Sequence, residues 1–197
     1  ALPASPLSRR SRPRTLPTES RPPRAADVTS RAQLTAGVML LVFHPFKVGD
    51  VVSVADTVGS VPQLGLFTTT FDTVDNRRII VPNGSVAGHR IENVTHHERR
   101  RVDIDVGAAY EADVAATRAQ LERAITRVKG RIRDAQHQVF LKGLGASSVD
   151  WQVRVWCDTA DYWLVWEQTV EAIKAELDEA NIGIPYPQME VHVKQPP

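Results

Sequence analysis

A chain of 197 residues with 42% hydrophobic content has room for one sizeable domain or two small ones, and enough apolar side chains to pack a core. The formal net charge of +1 is unevenly spread: seven arginines against Glu19 and Asp27 give residues 1–31 a charge of +5, leaving −4 for the rest. A single cysteine, Cys157, excludes an internal disulfide and suits a reducing compartment.

Residues 1–31 read as an Arg/Pro-rich arm. Six of the 13 prolines lie in residues 1–30, which carry almost no large apolar side chains. That composition buries too little surface to offset its ordering entropy and predicts disorder. Its basic charge also fits an arm for nucleic acid or anionic lipid. No apolar h-region marks it as a secretory signal. Residues 32–45 hold the longest apolar run, Leu34–Phe43, a short amphipathic helix ended by Pro45. Ten helical residues reach about 15 Å, against roughly 30 Å for a bilayer core. The run must therefore cover its surface with protein or at a membrane edge.

Over residues 46–98 the apolar period is two. Gly49-Asp50 makes a turn that opens a strand in KVGDVVSV, and Val58, Val61, Leu64 and Leu66 follow between Gly and Pro breaks. TTTFDT and RRIIVP flank Val74-Asp75-Asn76-Arg77. Asp and Asn tolerate the left-handed backbone of a tight turn, so the pair predicts a hairpin. Pro82 ends the second strand, Asn83-Gly84 makes another turn, and HRIENVT adds a short strand. Four or five short strands with such turns predict a small barrel.

Residues 99–194 change pattern. Val102, Ile104 and Val106 alternate along a half-buried strand. Asp113 caps a helix carrying Val114, Thr117, Leu121, Ile125 and Val128. Gln138–Leu144 is a strand, and Val149, Trp151, Val153, Val155 and Cys157 share one face of the next. A second helix from about Asp161 to Ala180 presents Trp166, Val170, Ile173 and Leu177. QMEVHVK closes with Met189, Val191 and Val193. The order strand–helix–strand–strand–helix–strand is that of a ferredoxin-like α/β domain, making the whole chain α+β.

Chemistry is sparse. His96-His97 is the best metal pair, but neighbours along a strand point to opposite faces, and no further ligand is spaced to complete a site. Cys157 belongs to an apolar face and reads as inert core. Arg99-Arg100-Arg101 could grip phosphate, yet Glu98 and Asp103 flank it, as in a solvated junction between domains. Trp151, Trp156, Trp163 and Trp166 could stack a ligand, but Trp151 and Trp166 fall on faces expected to be buried. Ser147-Ser148 has no histidine or acid at an instructive spacing. No catalytic residue, metal site or cofactor is expected, and the pattern argues against an enzyme.

FHPFKVGD, GLFTTTFDTVDNRRIIVPNG, GAAYEADV, GASSVDWQVRVW and IPYPQMEVHVK, in this order, closely resemble motifs of the small-conductance mechanosensitive channel (MscS) family over about Gln33 to Lys194. The resemblance implies a homo-heptameric channel of the bacterial inner membrane, opened by tension. Each subunit of the family has three transmembrane segments, a middle Sm-like β domain and a carboxy-terminal α/β domain, and seven soluble portions form a cytoplasmic vestibule with side portals. By resemblance, AGVMLLVFHPF is the second half of the third transmembrane segment, in which Ala36, Gly37 and Phe43 serve helix packing and the link to gating. Gly49, Asp50, Thr69, Pro82, Asn83 and Gly84 serve the architecture of the β domain. Gln33 stands where the family commonly has Asn, and His44 where it often has Arg. The family's earlier spans have no counterpart before Gln33, so the chain reads as a truncated channel subunit whose partner is itself, with membrane contact through the missing spans. The alternative is a soluble Sm-like ring that binds nucleic acid through the basic arm. The −4 charge of residues 32–197 would repel phosphate, so no nucleic-acid partner is expected.

Overall fold

After Pro23 the chain meets no proline until Pro45, and alanine, arginine and glutamine favour helix. Helix α1 accordingly spans Ala25–Phe43 in the computed structural model, which describes residues 25–189 and 191–192. The helix thus begins seven residues inside the expected disordered arm, whose residues 1–24 lie outside the described range. It ends on His44, whose φ of 45° is the left-handed cap conformation and whose N–H donates to the Leu40 carbonyl at 3.1 Å. Among the described residues no helix is long and apolar enough to cross a membrane.

The barrel domain follows as β1 (Val51–Val54), β2 (Thr57–Leu64), β3 (Thr68–Asp72), β4 (Arg78–Pro82) and β5 (Glu92–Asn93), in the sheet order β4-β3-β2-β1-β5. All neighbours are antiparallel. The hairpin expected around Val74–Arg77 forms, with Asn76 at φ 63° and Asp72 facing Arg78 in register. Gly49 takes φ 98° at the turn before β1. Asn83-Gly84 departs from expectation: these residues begin a short helix, α2 (Asn83–Gly88), with Pro82 as its N-cap. Val86 of that helix is fully buried, so the segment folds inward instead of turning at the surface. The core gathers Phe46, Val52, Val54, Val61, Phe71, Val81 and Val86, and Leu40 of α1 joins it.

The second domain contains β6 (Arg99–Ala108), α3 (Val114–Arg127), β7 (Gln138–Leu144), β8 (Val149–Asp158) and α4 (Tyr162–Glu179). Its sheet order, β6-β8-β7, is that of the first three strands of a ferredoxin-like unit. Asp113 caps α3, accepting from Ala116 N–H at 2.7 Å. Trp151, Val153, Val155 and Cys157 are buried as their alternation predicts. The stripe of α4 is displaced: Val165, Thr169, Ile173, Glu176 and Leu177 are buried, while Trp166 and Val170 are partly exposed. The expected closing strand is also absent from the described residues. Residues 182–189 have no regular structure, Met189 and Val191 are exposed, and Pro185 and Pro187 withhold two ladder N–H groups. Val193 lies outside the described range.

Candidate functional site: the joint between the apolar helix and the barrel

At Gly37 the backbone of α1 comes up against the barrel. A Cβ there would lie 1.8 Å from the Leu66 carbonyl oxygen and 2.8 Å from Asn83 Nδ2. No side chain fits, so the helix backbone rests directly on the loop joining β2 to β3. Ala36 and Leu40 are buried on either side of it, giving α1 one seated face.

That loop is held from below by Asn83. Its Nδ2 donates to the carbonyls of Gly65 at 2.9 Å and Leu66 at 3.0 Å, and its Oδ1 accepts from Thr69 Oγ1 at 2.8 Å. Its backbone N–H donates to the Phe67 carbonyl at 2.8 Å. Asn83 and Thr69 are both fully buried, so each of these bonds replaces water that cannot enter. The amide thereby fixes the loop on which Gly37 sits, and it does so from the first residue of α2. This accounts for the run of threonines and the IIVPNG segment: Thr69 and Phe71 point into the barrel on alternate positions of β3, and Asn83 locks the strand to the loop.

The rest of the α1 surface over Leu34–Phe43 is largely apolar and uncovered within one chain. Leu34, Val38, Met39, Leu41, Val42 and Phe43 are exposed, Phe43 by 73%. Leu66 and Phe67 of the supporting loop are exposed as well. A helix apolar all round normally has protein or lipid on both sides. Phe43 is therefore mostly uncovered, unlike the buried Ala36.

The remaining residues singled out from the sequence serve the fold locally. Asp50 accepts from Lys47 N–H at 2.9 Å and from Asn93 Nδ2 at 2.7 Å, tying the Gly49 turn to β5. His96 and His97 lie in the bend between β5 and β6, not in a strand, with ring centroids 4.7 Å apart. Among the described residues no group of three or more His, Cys, Asp or Glu side chains is arranged to hold a metal ion. Arg100 stacks on the Tyr162 ring at 3.8 Å, and Arg101 pairs with Asp103 through both ends of its fork. Cys157 is fully buried, and burial pushes its thiol pKa up. Trp151 is core, with its Nε1 lacking a hydrogen-bond partner and the Arg118 guanidinium 5.3 Å over its ring. Trp166, expected in the core, is 40% exposed beside the more exposed Trp163. Sequence reasoning missed Leu40 as a barrel-core residue and the loop carbonyls of Gly65 and Leu66 as the partners of Asn83. Leu40 lies three residues after Gly37, the helical spacing that could have found it.

Two family models match the chain: the β-domain of mechanosensitive ion channels over residues 29–96, and the C-terminal part of MscS-type mechanosensitive ion channels over residues 102–184. A small-conductance mechanosensitive channel from Edwardsiella ictaluri is 39% identical over 166 residues, covering 84% of this chain and 58% of that protein. An MscS family protein from Synechocystis is 36% identical over 167 residues, covering 85% and 56%. The chain thus spans little more than half the length of these curated relatives. Among solved structures, Helicobacter pylori MscS in its closed state superposes with a TM-score of 0.81 at 26% identity, over 87% of this chain and 69% of that one. Arabidopsis thaliana MSL1 shares the fold at 12% identity, with a TM-score of 0.71 over 82% of this chain and 58% of that one.

Proposed function

The chain belongs to the MscS family of mechanosensitive ion channels, and from that premise we propose that it is a subunit of a tension-gated channel of the small-conductance type, supplying the β domain and the α/β domain of a homo-heptameric cytoplasmic vestibule at the bacterial inner membrane. Its work in that assembly is mechanical, with no catalytic step. The observation that carries the reading is the seat of Gly37 on a loop clamped by Asn83. Close-packed, hydrogen-bonded groups of this kind behave as a rigid coupling. Displacement of α1 is therefore passed into the barrel instead of being absorbed by side-chain rearrangement. The uncovered face of α1, with Leu66 and Phe67, supplies the surface for neighbouring subunits and the membrane edge. The mild negative charge of residues 32–197 gives the nucleic-acid reading no support.

A chimera tests this. Residues 33–197 are joined behind the transmembrane segments of the Edwardsiella ictaluri relative and expressed in bacteria lacking their own mechanosensitive channels. Suction on membrane patches is expected to open discrete currents, and the cells are expected to survive hypo-osmotic shock. A chimera that reaches the membrane as an oligomer yet stays silent under lytic tension contradicts the proposal.

A further inference from the structure

Strand β8 is laced to β7 only as far as Arg154, which pairs with Gln138. Beyond that point the segment between α3 and β7 takes over as its neighbour. Ile132 N–H donates to the Trp156 carbonyl at 2.9 Å, and Arg131 bridges to Cys157. His137 closes this corner with both ring nitrogens. Nε2 lies 2.8 Å from the Ile132 carbonyl oxygen, which only accepts, so Nε2 carries the proton. Nδ1 lies 3.2 Å from the Trp156 nitrogen, whose N–H only donates, so Nδ1 is the bare nitrogen. The neutral Nε2–H tautomer satisfies both partners at once. A second proton has to go on Nδ1, where it would face the Trp156 N–H and turn an attraction into a repulsion.

We propose that His137 is a proton-operated latch: the neutral ring fastens residues 129–137 to the end of β8, and the imidazolium releases them. The device lies wholly within the α/β domain and does not depend on the channel reading. Burial of the ring pushes its pKa below the usual histidine value; the Ile132 carbonyl opposes this, and the Arg131 charge adds to it. Lys129, Arg131, Arg133 and Asp134 share its segment, Gln138 of β7 is neutral, and Arg154 and Asp158 lie on β8. Beyond β8, in register with it, stand Arg99, Arg101 and Asp103 of β6, with Arg101 already paired to Asp103. Among the described residues no carboxylate forms an ion pair with the ring to hold the second proton in place. With the folded pKa depressed, the released segment binds more protons than the fastened one. The fastening is complete above the ordinary histidine pKa of about 6.5 and is lost as pH falls through the lower, folded value. That window is mild acid, where histidine is the side chain that changes charge.

Hydrogen–deuterium exchange on the full 197-residue chain between pH 7.5 and 4.5 tests the latch, with rates corrected for their intrinsic pH dependence. Peptides covering 129–137 and 152–158 are expected to lose protection by about tenfold or more as the pH drops, while α3 and β6 keep theirs. His137→Gln offers one donor and one acceptor that do not titrate, and its profile is expected to stay flat. The ring titration is followed separately by NMR, with the His137 resonance assigned by its loss in the variant or, should the variant not fold, by sequential assignment of the parent. A pKa under 6.5 is expected. Unchanged protection down to pH 4.5, a ring titrating at 6.5 or above, or a His137→Gln chain that loses protection in parallel with the parent overturns the proposal.

Discussion

A single methyl group at position 37 decides whether α1 can lie on the barrel. Gly37→Ala would place a carbon 1.8 Å from a backbone oxygen, and backbone cannot swing aside as a flexible side chain can. Overpacking of this sort costs roughly 1–3 kcal/mol. Urea unfolding of Gly37→Ala is expected to show that loss. Gly88→Ala, where an added Cβ meets nothing within 4 Å, is expected to stay within about 0.5 kcal/mol of the parent. Equal stability of the two variants would mean that the helix does not rest on the loop. Residues of this type are half legible in a sequence. Gly37, Thr69 and Asn83 stand out as motif positions, but nothing in their spacing tells that an amide in α2 holds a loop 17 residues earlier. The same limit applies to Thr169 and Glu176, which are buried on α4 where Trp166 and Val170 were expected. Thr169 donates to the Val165 carbonyl at 2.6 Å, and the Arg127 guanidinium stands 2.5 Å from a Glu176 carboxylate oxygen. Neither Glu176 oxygen meets hydrogen-bond geometry, so the ion pair is what compensates the buried charge. Polar side chains with such partners go inside, and hydropathy alone does not see the partner.

At the scale of elements, alternation and turn chemistry carried the reading well. β7 spans Gln138–Leu144 as expected, and the β3–β4 hairpin turns on Asn76. The hairpin also contains a cross-strand clamp. Arg78 donates through Nε and Nη2 to the two Asp72 oxygens at 2.8 and 2.9 Å, and this hydrogen bonding holds the Asp72 carboxyl below the usual carboxylate range. Because the folded pKa is depressed, the unfolded chain binds more protons at acid pH. The clamp is therefore fully present above about pH 4 and is lost as pH falls through the folded value. Asp72→Asn is expected to lower the urea midpoint slightly at pH 7, by an amount that shrinks as the pH is lowered below about 4 toward the depressed folded value. A difference that does not shrink at all on acidification would assign the effect to packing instead of charge. What alternation could not give was α2, because NGSVAG carries the residues of a turn and becomes helix through the burial of Val86 and Asn83. The closing strand expected over residues 188–194 is described only at residues 188, 189, 191 and 192, none of which lies in a strand, and the rest of it falls outside the described residues.

At the scale of the whole molecule, the barrel leaves strand edges and apolar side chains uncovered within one chain. A domain of roughly fifty residues buries a modest fraction of its surface and is marginal alone. The five-stranded sheet leaves β4 and β5 as open edges, which proteins ordinarily pair or cover. Ile80 on β4 is 63% exposed, and the apolar face of α1 adds to the uncovered surface. Cyclic closure would set one subunit's edge against the next and cover both features with the same contact. The chain is accordingly expected to form a closed homo-oligomer, seven-fold by its family, in light scattering at tens of micromolar. Ile80→Glu gives the sharper measurement. Because Ile80 points outward and is absent from the barrel core, a charge there leaves the fold intact while placing an unpaired carboxylate in the contact. Circular dichroism of Ile80→Glu is expected to match the parent while its mass falls toward that of one chain. A persistent monomer from the unaltered chain, or an Ile80→Glu chain that keeps the parent's mass, would show that closure does not run through the β4 edge.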